Sequence, residues 1–200
     1  MTTTAQALKT WEAAEPEEGE AEGPRSIADA IHVKLYCQMP PITKMDASLG
    51  SLVNCERLAL STNSIDRIIP LTGMGKLKIL SLGRNAIKKI EKLEDVAGTL
   101  EELWLSYNQI STLDGLGALT SLTVLYISNN VIKHWEEVSK LAALPNLKDV
   151  LLVGNPIYEE FDKDQCRIEV LKRLPDLVKI DGDMVKPAER ELAIQQIAEA

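Results

Sequence analysis

The chain has 200 residues, 45% of them apolar, with one Phe, four Tyr, three Trp and a formal net charge of −8. So acidic a chain disfavours general nucleic-acid binding, which relies on Lys and Arg neutralising phosphates, and a core this poor in aromatics must be built from Leu, Ile and Val. Cys37, Cys55 and Cys166 form neither a disulfide framework nor a C-x-x-C zinc pattern, there is no apolar run long enough to span a membrane, and the start lacks a basic-then-apolar leader, so a soluble intracellular protein without metal, cofactor or membrane contact is expected.

In chain order, the pattern predicts a short helix over residues 4–14, capped by Thr4, with Leu8 and Trp11 on one face. Glu15, Glu17, Glu18, Glu20 and Glu22 follow among Pro and Gly, so residues 1–24 read as an acidic, largely flexible segment. Ser26 resembles a helix cap, and Ile27, Ala30, Ile31 and Leu35 recur at helical spacing until Pro40 and Pro41, with His32 on the helix surface. ITKMDASLGSL then reads as a degenerate repeat with Ile42, Met45, Leu49 and Leu52 inward. Residues 25–52 are thus expected to be an N-terminal helical cap with that repeat.

Five related segments come next: CERLALSTNSI, LKILSLGRNAI, LEELWLSYNQI, LTVLYISNNVI and LKDVLLVGNPI. Each is closed by an asparagine (Asn63, Asn85, Asn108, Asn130, Asn155), spaced 22, 23, 22 and 25 residues apart. The period and the L-x-x-L-x-L-x-x-N-x-I pattern define a leucine-rich repeat. Each copy supplies a strand and a turn but cannot bury its apolar side alone, so stacked copies share one core. The Asn amide can donate to and accept from backbone groups otherwise buried unpaired, and Cys55 fills the first leucine position as a small buried apolar group. The array spans residues 53–160. Behind the strands a second ladder is expected: Ile65 and Ile68, Ile87 and Ile90, Ile110 and Leu113, Ile132 and Trp135. Trp135 reads as a large core residue, and the longer fourth repeat leaves room for a helix ending at Pro145. Residues 161–200 hold a last convex helix (CRIEVLKRL), a strand-like edge (LPDLVKIDGDMV) and a proline-started terminal helix. The expected fold is an α/β leucine-rich-repeat solenoid, a parallel sheet on one face, short helices on the other, and helical caps at both ends.

The pattern offers no catalytic constellation. His32 and His134 have no Cys or carboxylate partner at catalytic or ligand spacing, and TGMGKLK has Pro70 and Leu77 where a phosphate loop needs Gly and Ser or Thr. The concave face is more informative. Strand alternation turns the leucines inward and leaves Ile79, Trp104, Val124, Tyr126, Leu151 and Val153 outward as an apolar patch with two hot-spot aromatics. This is the expected partner-binding face. Separately, Lys76, Lys78, Arg84, Lys88, Lys89 and Lys92 concentrate positive charge around one repeat, against only Glu91. Such a ridge fits an acidic partner or simple solvation equally well.

YCQMPPITKMDASLGSL, LSLGRNAIKKI, TLEELWLSYNQI, LYISNNVIKHW and VGNPI resemble the leucine-rich-repeat light chain family of axonemal outer-arm dynein, covering most of residues 35–157. The end of the chain, through Leu174, Pro175, Leu177, Ile180, Asp181, Gly182, Val185, Glu189 and Arg190, is similar to the C-terminal cap of a wider class that includes a phosphatase regulatory subunit and a spliceosomal protein. The resemblance implies a non-catalytic subunit of the cytoplasm and the ciliary or flagellar axoneme. It would bind a dynein heavy chain near its motor or microtubule-binding region and tune motility. Microtubule contact would fall to Arg84, Lys88, Lys89 and Lys92, or to Lys186 and Arg190 on the terminal helix. The alternative is a regulatory subunit docking on a protein phosphatase catalytic domain.

Overall fold

The computed structural model describes residues 2–14 and 26–199. Its main sheet is built from β2 (His32–Lys34), β4 (Arg57–Ala59), β5 (Ile79–Ser81), β6 (Glu102–Trp104), β7 (Val124–Tyr126), β8 (Asp149–Leu151), β9 (Lys179–Ile180) and β10 (Asp183–Met184). The spatial order follows the chain; every pair is parallel except the final β9–β10 hairpin. Each strand is only two or three residues long, because the chain must turn back once its inward leucine is buried. The core is a stack of aliphatic rungs such as Leu58, Leu80, Leu103, Leu125, Val150 and Ile180, all at or below 1% exposure.

Behind the sheet, the expected second ladder is present: Ile65, Ile68, Ile87, Ile90, Ile110, Leu113, Ile132 and Trp135 are all buried. Most returns are extended or single-turn, with a three-residue 3₁₀ turn at Glu94–Val96. The longer fourth repeat forms α2 (Trp135–Ser139), continued by a 3₁₀ turn at Lys140–Ala143. Trp135 is core, stacked on Tyr158 and lying under the Arg173 guanidinium. The end of the chain forms α3 (Lys163–Arg173) and α4 (Pro187–Ala198), which pack together through residues that include Ala193.

The asparagines tie successive turns together. Their Oδ1 atoms accept from the amides of Ile42, Ile65, Ile87, Ile110 and Ile132, one repeat earlier, at 2.9–3.2 Å. Their Nδ2 groups donate to Leu or Ile carbonyls of their own and the preceding repeat. The residue before each of them has a left-handed backbone: Thr62, Arg84, Tyr107, Asn129 and Gly154, at φ between 52° and 80°. That conformation turns the chain off the strand and costs a residue with a Cβ about 1–2 kcal/mol.

The N-terminal region differs from the pattern-based expectation. Residues 26–37 form no helix: residues 27–29 make a turn, and β2 pairs with β4 as one further rung of the sheet. Val33 and Leu35 point inward while His32, Lys34 and Tyr36 face outward, a period of two rather than 3.6, and Ile31, expected inward on the helix, is 54% exposed. The amides of Glu56 and Arg57 donate to the Ile31 carbonyl, so pairing with the next repeat decides the conformation. His32 accordingly lies on the outer face of a strand. The degenerate repeat follows, with Ile42, Met45, Leu49 and Leu52 buried as expected.

The helical N-terminal cap comes from upstream. α1 (Thr4–Ala13) is capped by Thr3, and β1 (Thr2–Thr3) pairs in parallel with β3 (Ile42–Lys44). Ala7 and Leu8 are buried, and Trp11 packs against the core. Within the segment expected to be flexible, residues 2–14 are therefore docked; the acidic stretch from residue 15 to 24 lies outside the described residues.

One carboxylate fixes this cap. Asp46 Oδ2 accepts from the Ala5 amide at 3.1 Å, Oδ1 accepts from the Ser48 amide at 3.0 Å, and the Asp46 amide donates to Thr4 Oγ1 at 2.8 Å. Burial works to raise its pKa, but hydrogen bonds from Ser48, Ala5 and Thr3 outweigh it and hold the group at about 2. A depressed carboxylate contributes stability that is complete above its ordinary value of 3.8 and is lost as the pH falls through about 2. Asp46→Ala is expected to release α1 at neutral pH, read as faster amide exchange over residues 2–14 with the repeat array still protected. Unchanged protection there would show that apolar packing alone holds the cap.

Candidate functional site

Strand register sorts the outward residues into ladders. One runs His32, Arg57, Ile79, Glu102, Val124, Asp149 and Lys179; the next runs Lys34, Ala59, Ser81, Trp104, Tyr126 and Leu151. Trp104, Tyr126 and Leu151 are thus lateral neighbours on β6, β7 and β8. The Trp104 and Tyr126 rings stack at 6.0 Å between centroids and 24° between planes. Trp104 is 37% exposed, and Tyr126, Leu151, Val124 and Ile79 are half-buried. Val124 adjoins Tyr126 on the same strand. Ile79 is separated from Val124 by Glu102 along its own ladder, and Val153, 43% exposed, lies just beyond β8.

Strand alternation identifies which side chains face out but not what holds them. Trp104 Nε1 donates to Glu102 Oε2 at 3.2 Å, and Tyr126 Oη donates to Asp149 Oδ2 at 2.9 Å. Lys179 Nζ lies 3.3 Å from that same oxygen. Glu102, Trp104, Tyr126, Asp149 and Lys179 therefore form one connected series across β6 to β9. Burial and the adjacent Asp149 carboxylate raise the Tyr126 pKa, so its hydroxyl stays protonated and remains the donor. Beside the aromatic pair the floor is small and polar, with Ser61 and Ser81 hydroxyls 2.5 Å apart and those of Ser106 and Ser128 2.9 Å apart. Tyr107, 47% exposed under the Arg84 guanidinium at 4.3 Å, adds an aromatic at the rim. Its place before Asn108 was the sequence signal for it.

The basic residues divide into free and engaged groups. Lys88, Lys89 and Lys92 are exposed and make no ion pair among the described residues. Lys78 pairs with Glu56 at 3.0 Å and Lys76 donates to Asn54 at 2.7 Å, which reduces the ridge. Lys186 is exposed at the start of α4. Arg190 does not stand free as expected: its guanidinium donates to the carbonyls of Pro175 and Leu177, fastening α4 to the preceding loop. Burial pushes the Cys55 and Cys166 thiols up to about 11, which leaves them protonated and unreactive. Among the described residues no cluster of three or more His, Cys, Asp or Glu is placed to hold a metal, and no helix is long and apolar enough to cross a membrane.

A stack of short parallel strands joined by asparagine-closed turns, with an aromatic outer face, defines a leucine-rich-repeat protein. The family model described as leucine-rich repeats (two copies) matches residues 99–142. A leucine-rich-repeat protein of Leptospira interrogans superposes with a TM-score of 0.60 at 26% identity, over 74% of this chain and 36% of that one. Dynein axonemal light chain 1 of Chlamydomonas reinhardtii is 61% identical over 169 residues, spanning 82% of this chain and 85% of its own. The protein of that name from Danio rerio is 60% identical over 191 residues, spanning 95% of both chains. The chain belongs to the dynein axonemal light chain 1 family.

Proposed function

We propose that the chain is a non-catalytic light chain of axonemal outer-arm dynein, working in the cytoplasm and ciliary axoneme. It docks on a dynein heavy chain near its motor or microtubule-binding region and tunes motility. The observation that carries this reading is the stacked Trp104–Tyr126 pair, held outward on a sheet face within a chain that matches its relatives almost end to end. Stacked aromatics whose polar atoms are already satisfied are suited to burial against a protein partner. Hydrolysis of ATP belongs, on this reading, to the heavy chain.

A pull-down from axonemal salt extract tests it. The wild-type chain is expected to retain a heavy chain. Trp104→Ala and Tyr126→Ala should each weaken retention by about 2 kcal/mol without unfolding the chain. Capture of a phosphatase catalytic subunit instead, or equal heavy-chain retention by the double variant, would overturn the reading.

Direct microtubule contact is carried on this proposal by Lys88, Lys89 and Lys92, three exposed cations without an ion pair among the described residues of an acidic molecule. Attraction through exposed charges is screened over about 8 Å at physiological salt, so it should be weak and salt-dependent. Lys88→Glu with Lys89→Glu is expected to reduce co-sedimentation with microtubules while heavy-chain retention is unchanged. Sedimentation insensitive to both charge reversal and salt would assign these lysines to solvation alone.

A further inference from the structure

The chemistry of the sheet face narrows what can dock there. The sheet's own backbone groups are committed to its strand pairing, and its free edges are at β2 and β10. The face therefore offers side chains rather than a strand to pair with. Those side chains come one per strand, in register, about 4.8 Å apart. A helix laid along the ladder advances about 5.4 Å per turn, so one side chain per turn can meet Ala59, Ser81, Trp104, Tyr126 and Leu151 in succession. An extended segment repeats on one side at about 6.7 Å and falls out of step within two strands.

Polarity adds a second constraint. The indole and phenol donors are consumed internally by Glu102 and Asp149. Besides the serine hydroxyls of the floor, the anionic groups beside the aromatic pair are the Glu102 and Asp149 carboxylates, which only accept. Asp149 Oδ1 is buried without a hydrogen-bond partner, while Lys179 reaches only Oδ2. The buried Oδ1 is closed to a docking partner; the half-buried Glu102 carboxylate and the 16% of the Asp149 side chain that stays exposed are what a partner's donors can reach. Among the described residues no basic side chain forms an ion pair with Glu102, and Arg57 lies on β4, four strands from Asp149.

We infer that this face selects a partner α-helix of about 13 residues, lying along the ladder with one apolar anchor per turn and Lys or Arg donors on the edge that meets Glu102 and Asp149. The inference rests on reading the face as the docking surface. Glu102 and Asp149 then have two roles: they orient the aromatic rings, and they discriminate against acidic helices.

The test uses the full chain and two synthetic amphipathic helices with identical leucine positions, one edged with Lys and Arg and the other with Glu. The basic peptide is expected to bind about tenfold more tightly or better, the scale of one charge-assisted hydrogen bond. A general attraction of an acidic protein for a basic peptide would survive substitution at the site. In Glu102→Gln with Asp149→Asn, which keep size and hydrogen-bonding capacity, the preference should instead fall to within about threefold. Trp104→Ala should abolish binding, as should a central proline in the basic peptide. Equal or reversed preference, a preference unchanged in the double variant, no binding of either peptide, or full binding of the proline peptide would each overturn the inference. Heavy-chain retention is scored separately. Retention without peptide preference sinks the inference alone; preference without retention sinks the heavy-chain reading alone.

Discussion

Arg167→Ala is expected to cost about 3–5 kcal/mol, because it breaks a buried charge pair and leaves the partner charge uncompensated. Arg167 is 3% exposed on α3, and its guanidinium reaches three other elements. Nε is 2.6 Å from Glu189 Oε1 on α4, Nη1 donates to the Ile180 carbonyl of β9 at 2.6 Å, and Nη2 donates to the Met184 carbonyl of β10 at 3.2 Å. The hydrogen bond from Arg167 is the main cause that lowers the Glu189 pKa, against burial, which raises it. The pair's contribution is therefore complete above the ordinary carboxylate value of 4.5 and is lost as the pH falls through the lowered value. Denaturant unfolding at pH 7 should show the loss in full, and amide exchange should show α4 opening first. A variant within about 1 kcal/mol of wild type would mean that apolar packing, not this pair, joins the terminal helix to the stack.

Asn108→Ala comes next in size. Asn108 is 8% exposed and satisfies the Ile87 amide and the Leu82 and Leu105 carbonyls. Each buried group left unpaired costs about 1–3 kcal/mol, and partial rearrangement of the turn should limit the total to about 3 kcal/mol. For a domain of this size that corresponds to a drop in Tm of roughly 6–12 °C. Asn108→Asp keeps an acceptor for Ile87 but turns a carboxylate on two carbonyls, so it should be no better than Ala. Equal melting of Asn108→Ala and wild type would remove the asparagine ladder from the account of stability.

The array was legible because its signal repeats. Five copies report the same inward and outward assignment, so Leu103 inward and Trp104 outward follow from alternation alone. The first strand was not legible. Residues 27–35 carry Ile27, Ala30, Ile31 and Leu35 at helical spacing and Val33 and Leu35 at strand spacing, and no asparagine follows Cys37 to mark a repeat. Only hydrogen bonding to residues 56 and 57 settles the choice, and that is a tertiary fact. The outward placement of Ile79, Trp104, Val124, Tyr126 and Leu151 was legible for the same reason as the array. Their supports were not, since Glu102 bonding to Trp104 and Asp149 to Tyr126 depend on side-chain rotamers and strand register. Arg190 was misjudged because its partners, Pro175 and Leu177, meet it only once the terminal helix folds back.

The left-handed residue before each asparagine puts the rim of the sheet under opposing demands. Glycine would suit all five positions best, yet only Gly154 is one; Thr62, Arg84, Tyr107 and Asn129 carry side chains in the strained geometry. Glycine at Arg84 or Tyr107 would relieve the backbone and at the same time delete the cation–aromatic stack between them. Sequence optimisation for thermostability would therefore converge on a smoother, glycine-rimmed molecule. Its stability would come at the expense of the side chains that distinguish this edge from that of any other repeat protein.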